Sequence, residues 1–567
     1  MSIPARRIAG GEALWLAALV VFVGIIAVLP IVRLLWEGAG PFFLGNDSPA
    51  VEVLSDPTTW RATRRSFETA VGGALLSLVL GTLFALLVAL TDLRGKLLLT
   101  FCFMIPLMIP PQVTALSWIQ VFGASSTLLT MLDLAPAPGS KHPLYSREGI
   151  VLLLGIQHAP LVFLTVRAGL RSLPREAVEA ARMAGAGTLT VFRTIILPLM
   201  TPTLTVGVAL AFVSSIGNFG IPLFLGQPAG YQTLPVLIFS RLSGFGPSII
   251  SEVAVLAILV SAIAALGVSV QSWFMRRGDF RTIGVPSQPL AFVLGRWRLP
   301  AETGCWLVIL LVLVLPVTAL IAVTLVPAFG VPLTWASLTF DAYIEVLWRQ
   351  AVTVRAFQNS GFLAATATVM LVLASVPLAY FIAWRRNRLA GALSTVIDIP
   401  YAMPGIVLAI AAILVFLKPI PVIEYSLYGT LWIILVAYLG RFATLAIRPA
   451  IAGLTQMDRG LDEAARMTGA GFGFRLRTVI GPLTLPLTAA GGILVFLTAF
   501  NELTVSALLW SSGSETLGVV LYNLDESGNH IQAAAIAVAA IVVIIVLMFA
   551  AHLAGRRLPS GVLPWRD

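Results

Sequence analysis

The chain is poor in charge, in lysine and in cysteine, and each shortage closes off a class of function. Only 11% of its 567 residues are charged, whereas 58% are hydrophobic and the mean hydropathy is +0.95. No soluble core absorbs that much apolar side chain, so the chain is read as a polytopic membrane protein. Lysine occurs only at Lys96, Lys141 and Lys418, and the one preceded by glycine, Lys96, is followed by Leu97. The Gly-Lys-Ser/Thr loop that cradles nucleotide phosphates is therefore missing, and no enzymatic activity is expected of the chain itself. Cys102 and Cys305 fall in separate apolar runs, one in each half, and read as packing residues, not as a disulfide or a redox pair. No cluster of His and carboxylates has metal-ligand spacing, so no metal centre and no cofactor are expected. The net charge of +10 lies at the flanks of apolar runs without interleaved aromatics, which gives no nucleic-acid surface.

What is present is a series of long apolar runs. A helix needs roughly 20 apolar residues to cross the hydrocarbon layer. Runs of that length are read at about residues 13–36, 67–91, 98–122, 149–171, 198–223, 250–274, 305–329, 359–384, 391–417, 428–449, 482–509 and 532–554. Backbone groups in lipid must be satisfied within the segment, so the runs are helices; they are too long and too uniformly apolar for barrel strands. The expected fold is an all-α polytopic membrane protein of about 12 transmembrane helices in two parallel six-helix repeats, parallel because each half has an even number of crossings. The first repeat is taken as residues 1–278, a cytoplasmic linker as 279–300 and the second repeat as 301–567. With the N-terminus inside, about two thirds of the 36 Lys and Arg fall on cytoplasmic segments, which places both termini in the cytoplasm. The first run, after Arg6 and Arg7, is too long for a signal peptide and is read as a retained helix.

The duplication is visible as a string. Residues 179–187 read Glu-Ala-Ala-Arg-Met-Ala-Gly-Ala-Gly, and residues 463–471 repeat them with one change, 284 residues later. Arg193, Thr194, Pro198 and Pro202 match Arg477, Thr478, Pro482 and Pro486 at the same offset, and Ile105-Pro106 with Pro110 resembles Ile399-Pro400 with Pro404. Each copy predicts a short helix across the cytoplasmic face, with acidic residues near its start and glycines (Gly185 and Gly187; Gly469 and Gly471) at its end.

Glu-Ala-Ala, three residues, Gly, nine residues, Ile, one residue, Leu-Pro describes Glu179, Ala180, Ala181, Gly185, Ile195, Leu197 and Pro198. The second copy fits at Glu463, Ala464, Ala465, Gly469 and Pro482 but has Val479 and Gly481 at the membrane-entry end. This resembles the cytoplasmic loop of binding-protein-dependent ABC importer permeases of the type I fold. The two-in-one layout resembles the ferric-iron importer permeases, with thiamine, aminoethylphosphonate and polyamine importers as relatives. The resemblance implies a coupling helix in each copy, two copies of a separate ATPase subunit that bind the ATP and magnesium, one periplasmic or extracellular substrate-binding protein, and a place in the bacterial inner membrane. An ion-coupled secondary transporter is the alternative of a different class, but it has no use for a docking helix repeated on one face.

Polar residues inside apolar runs are candidates for the translocation path, because charge in hydrocarbon is costly. They are Gln157 and His158, Asn218, Asp398, Arg441, Asn501 and Glu502. Counting about 1.5 Å per residue along straight helices favours an Arg441–Asp398 pair over Arg441–Glu502.

Overall fold

The computed structural model describes residues 10–43, 49–137, 139–171, 173–245, 249–277, 292–419 and 424–554. The expected termini with Arg6 and Arg7, and the linker up to residue 291, lie outside the described residues. The main helices are α1 (Gly11–Gly40), α2 (Pro57–Leu90), α3 (Lys96–Met108), α4 (Pro111–Phe122), α5 (Arg147–Arg171), α6 (Arg175–Met183), α7 (Thr188–Ile216), α8 (Leu234–Phe245) and α9 (Ile250–Met275). The second half continues with α10 (Gly295–Thr324), α11 (Ala351–Trp384), α12 (Arg388–Ala402), α13 (Gly405–Phe416), α14 (Leu431–Gln456), α15 (Gly460–Met467), α16 (Phe472–Phe500), α17 (Leu517–Glu526) and α18 (His530–Leu553).

Ten of these helices are long and apolar enough to cross a membrane, among the described residues, and the count reaches twelve if each of two bent pairs is one span. The bent pairs correct two expected straight spans. Residues 98–122 become α3 and α4, bent by 103°, and residues 391–417 become α12 and α13, bent by 112°. Proline causes both breaks: Ile109 and Met403, each preceding a proline, are extended, and Pro110 and Pro404 cap the next helix. A proline ring clashes with a helical residue before it and removes an N–H donor, so the helix stops and restarts at a new angle. The duplication extends to backbone detail, since a wide π-type turn occupies Phe192–Ile196 in one half and Leu476–Ile480 in the other.

Small residues set the closest packing. A Cβ on Gly155 would lie 2.4 Å from the Leu76 side chain, one on Gly81 would lie 2.5 Å from the Ala159 carbonyl, and Ser77 Oγ donates to the Gly155 carbonyl at 2.9 Å. In lipid, where apolar area gives no preference between helix and tail, such close approach is what holds α2 to α5. The first helix of each half crosses to the other half. α1 packs on α13 and α14, with Gly440 so close to Ile26 that a Cβ would sit 2.5 Å from its carbonyl oxygen, and α10 packs on α3 and α4. The chain entering α10 is fastened to the first half, where Phe292 N donates to the Leu90 carbonyl at 2.7 Å and Leu294 N to Asp92 Oδ1 at 2.9 Å.

Candidate transport site and coupling surfaces

The two copies of the duplicated string fold alike. α6 and α15 end at Gly185 and Gly469, with φ of +84° and +81°, a conformation that carries little strain only in glycine. Gly185 N donates to the Arg182 carbonyl and Ala186 N to that of Ala181; Gly469 N and Ala470 N repeat this on Arg466 and Ala465. These bonds satisfy carbonyls that every helix end leaves open. The outer face is bare: Met183 is 89% and Met467 87% exposed, Glu179, Ala180, Glu463 and Ala464 are exposed, and Ala181 and Ala465 are half-buried. An exposed thioether at the same place in both copies suits an adaptable apolar contact with a partner. Both helices follow a span of the same rank in their half, so they share one face of the molecule.

The polar residues within the spans do several different things. Gln157 donates through Nε2 to the carbonyls of Pro106 and Ile109, both at 2.9 Å, and accepts from Thr114 at 2.8 Å. Arg441 donates to the carbonyls of Tyr401 and Met403. The expected Arg441–Asp398 pair is not formed: Asp398 is held by Arg448 and by Thr444 Oγ1 at 3.2 Å, while Arg441 turns to the broken helix end. The depth estimate failed because it ran a straight helix through a segment that bends by 112°. His158 Nδ1 meets Ser215 Oγ at 3.1 Å and is buried. Asn218 Oδ1 accepts from Ile221 N, and Glu502 accepts from the backbone N–H groups of Val505 and Ser506, so each caps its own loop. Asn501 joins the halves, its carbonyl accepting from Gln112 Nε2 at 2.9 Å, while its own Nδ2 finds no acceptor among the described residues. No group of three or more His, Cys, Asp and Glu poised for a metal occurs among the described residues.

On the face opposite the coupling helices, α8 of the first half and α17 of the second enclose a cavity of about 430 Å³. Ser240, Ser243, Trp510, Tyr522, Asn523 and Glu526 line it, with a carboxylate and, among the described residues, no Lys, Arg or His in its walls. Aromatic contacts across the halves close its floor, with the Tyr522 ring 5.8 Å from Phe239 and 5.9 Å from Phe224. Burial and the neighbouring Glu526 carboxylate push the Tyr522 phenol above its ordinary range, so it stays a neutral donor. A groove of similar size among α2, α7 and α9 is walled by Phe67, Leu266, Val270 and Phe274 and is lipid-facing in character. Sequence reasoning missed Gln112, Tyr522 and Glu526, which lie outside the duplicated string and acquire meaning only where the two halves meet. It also missed Glu12, Asp462 and Arg475, for which a signal existed: Asp462 and Arg475 replace Val178 and Val191 in otherwise matched repeats.

Two helical halves with exchanged first helices, a matched pair of bare short helices on one face and a polar cavity between the halves on the other define a two-half membrane permease. The chain belongs to the family described as binding-protein-dependent transport system inner membrane component, which it matches twice, over residues 78–282 and 375–562. It is thus a fused permease of the ABC importer class, multi-pass in the inner membrane, and the ion-coupled alternative is set aside. It is 25% identical to the probable ABC transporter permease protein y4fN of Sinorhizobium fredii, over 83% of this chain and 82% of that one. It is 24% identical to the Fe(3+)-transport system permease protein FbpB 2 of Haemophilus influenzae, over 92% and 94%. The molybdenum transport system permease protein ModB of Escherichia coli is 30% identical but aligns with 40% of this chain.

Proposed function

We propose that the chain carries ferric iron from a periplasmic or extracellular binding protein to the cytoplasm, by alternating access driven by two copies of a separate ATPase. The carrying observation is the cavity between α8 and α17, whose walls offer a carboxylate, two serines, an asparagine and a phenol to a cation and, among the described residues, no positive side chain to an oxyanion. This argues against sulfate or molybdate as cargo, although a molybdenum permease aligns with half of the chain's length or less. The relative with ferric iron in its name aligns across both halves, which supports the same reading.

In this scheme each ATPase copy seats one coupling helix, through Glu179, Ala180, Ala181 and Gly185 on α6 and Glu463, Ala464, Ala465 and Gly469 on α15. Residues 1–278 and 301–567 are the two repeats, both termini face the cytoplasm, and one binding protein docks over the cavity. Gln157, Arg441, Asn218, Asn501 and Glu502 shape the helix breaks and loops around the path, while His158 ties α5 to α7 through Ser215 and Asp398 ties α12 to α14 through Thr444 and Arg448.

The test is uptake of radiolabelled ferric iron by cells lacking the chain, with and without its return alongside its ATPase and binding protein. Restored uptake that excess molybdate or sulfate leaves intact supports the reading, and Glu526→Lys is expected to lower it about tenfold by placing a positive charge where the cargo enters. Restored uptake of thiamine or a polyamine alone would keep a cationic cargo and replace iron. Uptake of aminoethylphosphonate, molybdate or sulfate alone would overturn the cation assignment.

A further inference from the structure

Beneath α15 lies a buried charge cluster that joins it to the first helix of the opposite half. Glu12 on α1 is 2% exposed and receives Arg475 Nη2 at 2.9 Å, Tyr380 Oη at 3.1 Å and Arg385 Nε at 3.0 Å. Arg475 turns its other terminal nitrogen to Asp462 of α15 at 2.6 Å and is itself 2% exposed. The matched positions in the first half are Val178 and Val191, buried at 1% and 0%, so α6 rests on an apolar contact where α15 rests on ions. α6 also reaches towards the second half through a cation–π contact, Arg182 over the Phe292 ring at 4.5 Å. On the other first helix, Glu302 accepts from Arg94 N at 2.9 Å and Arg298 Nε at 3.0 Å, with its side chain 20% exposed.

Stability does not account for such a cluster, because replacing buried ions by apolar side chains of similar size is commonly neutral or favourable. The two kinds of contact differ in how they move. An apolar surface can slide by fractions of an ångström at little cost, whereas separating Arg475 from Glu12 leaves two charges buried without partners. α15, α1 and the start of α16 are therefore held to move as one body, whereas α6 has the apolar pair Val178 and Val191 at the matched positions.

We propose that Glu12 is a positioning residue through which the second coupling helix, α15, drives α1 directly, so that the two coupling helices transmit ATPase motion unequally. This rests on the reading of α15 as an ATPase-docking helix.

The experiment uses the full chain assembled with its ATPase and binding protein, and measures ATPase co-purification, basal ATP hydrolysis and hydrolysis stimulated by the iron-loaded binding protein. Glu12→Gln keeps the volume and removes the charge, and the triple variant Glu12→Leu, Asp462→Val, Arg475→Val gives α15 the apolar seat that α6 has. Both are expected to retain the ATPase and basal hydrolysis and to lower the stimulated-to-basal ratio about fivefold, the low end of a typical coupling between sites. Glu302→Gln is expected to leave that ratio unchanged. If the triple variant fails to assemble, Glu12→Gln decides alone. A ratio in Glu12→Gln equal to that of the unaltered chain, or an equal fall in Glu302→Gln, overturns the proposal. A Glu463→Lys chain that still retains its full complement of ATPase would instead remove the reading of α15 on which it rests.

Discussion

Gln157 and Arg441 stand 284 residues apart, at the same position in the two repeats, and both donate to the carbonyls of a proline-broken helix. Ile109 and Met403, whose carbonyls they reach, are themselves matched residues. A break in a membrane helix strands carbonyls with no water to take them, and a donor from the neighbouring helix removes that cost. Two residues that look like a functional contrast, one neutral and one charged, thus perform one structural task.

Removing either donor should therefore cost stability. Gln157→Leu and Arg441→Leu are each expected to destabilise the protein by about 1–3 kcal/mol, the penalty of a buried unsatisfied acceptor. Arg441→Gln should recover most of it, since glutamine suffices at the matched site. Thermal unfolding in detergent checks this, and an Arg441→Leu chain as stable as the unaltered one would sink it.

Asp398 and Arg441 should behave independently. Their double mutant, Asp398→Asn with Arg441→Gln, is expected to show additive losses within about 0.5 kcal/mol, as for sites without a shared partner. Asp398 with Arg448, both partly exposed, should show a coupling of about 0.2–1 kcal/mol in the same kind of cycle. Coupling larger than this between Asp398 and Arg441 would restore the pairing that the straight-helix estimate favoured.

The ends of the coupling helices give a third test. Gly185→Ala and Gly469→Ala meet no neighbouring atom within 4 Å, so any penalty comes from the left-handed backbone alone, about 1–2 kcal/mol. Glu179→Lys with Glu463→Lys is expected to leave the chain folded and to abolish co-purification of the ATPase. Retained ATPase in that double variant would show that docking takes place elsewhere.

Asp92 gives a pH dependence with a definite sign. The Leu294 N–H it accepts, with Arg298 and Lys96 nearby, holds its carboxyl below the ordinary aspartate range. A depressed folded value means that this contact is at full strength above the unfolded pKa of about 3.9 and is lost as pH falls through the lower folded value. Protection of the Leu294 amide from hydrogen exchange should be flat from pH 7 to 5 and fall only in stronger acid; Asp92→Asn should weaken it at every pH. A loss already complete near pH 5 would contradict the assignment.

The duplicated string was legible because its structure is local. Glycine at 185 and 469 can take a positive φ, and the short helices end there whatever surrounds them. The breaks were half legible: the prolines at 110 and 404 and their correspondence between the halves stand in the sequence, yet the bends of 103° and 112° turn what reads as one apolar span into two helices. With α12 ending at Ala402, Asp398 meets Thr444 and Arg448, one and two turns further along α14 than Arg441.

The sequence by itself determined that this is a helical membrane protein, that it is one unit written twice, and that each copy presents a glycine-ended helix, since apolar length, internal repetition and backbone freedom belong to residues close together in the chain. Only the tertiary structure decided that α1 and α10 exchange halves, that Glu12 meets Arg475 463 residues away, and that α8 and α17 enclose a cavity with a carboxylate in its wall. Those relations depend on how distant helices rotate and stack, and apolar runs of nearly uniform composition carry no periodic pattern that would fix the rotation in advance.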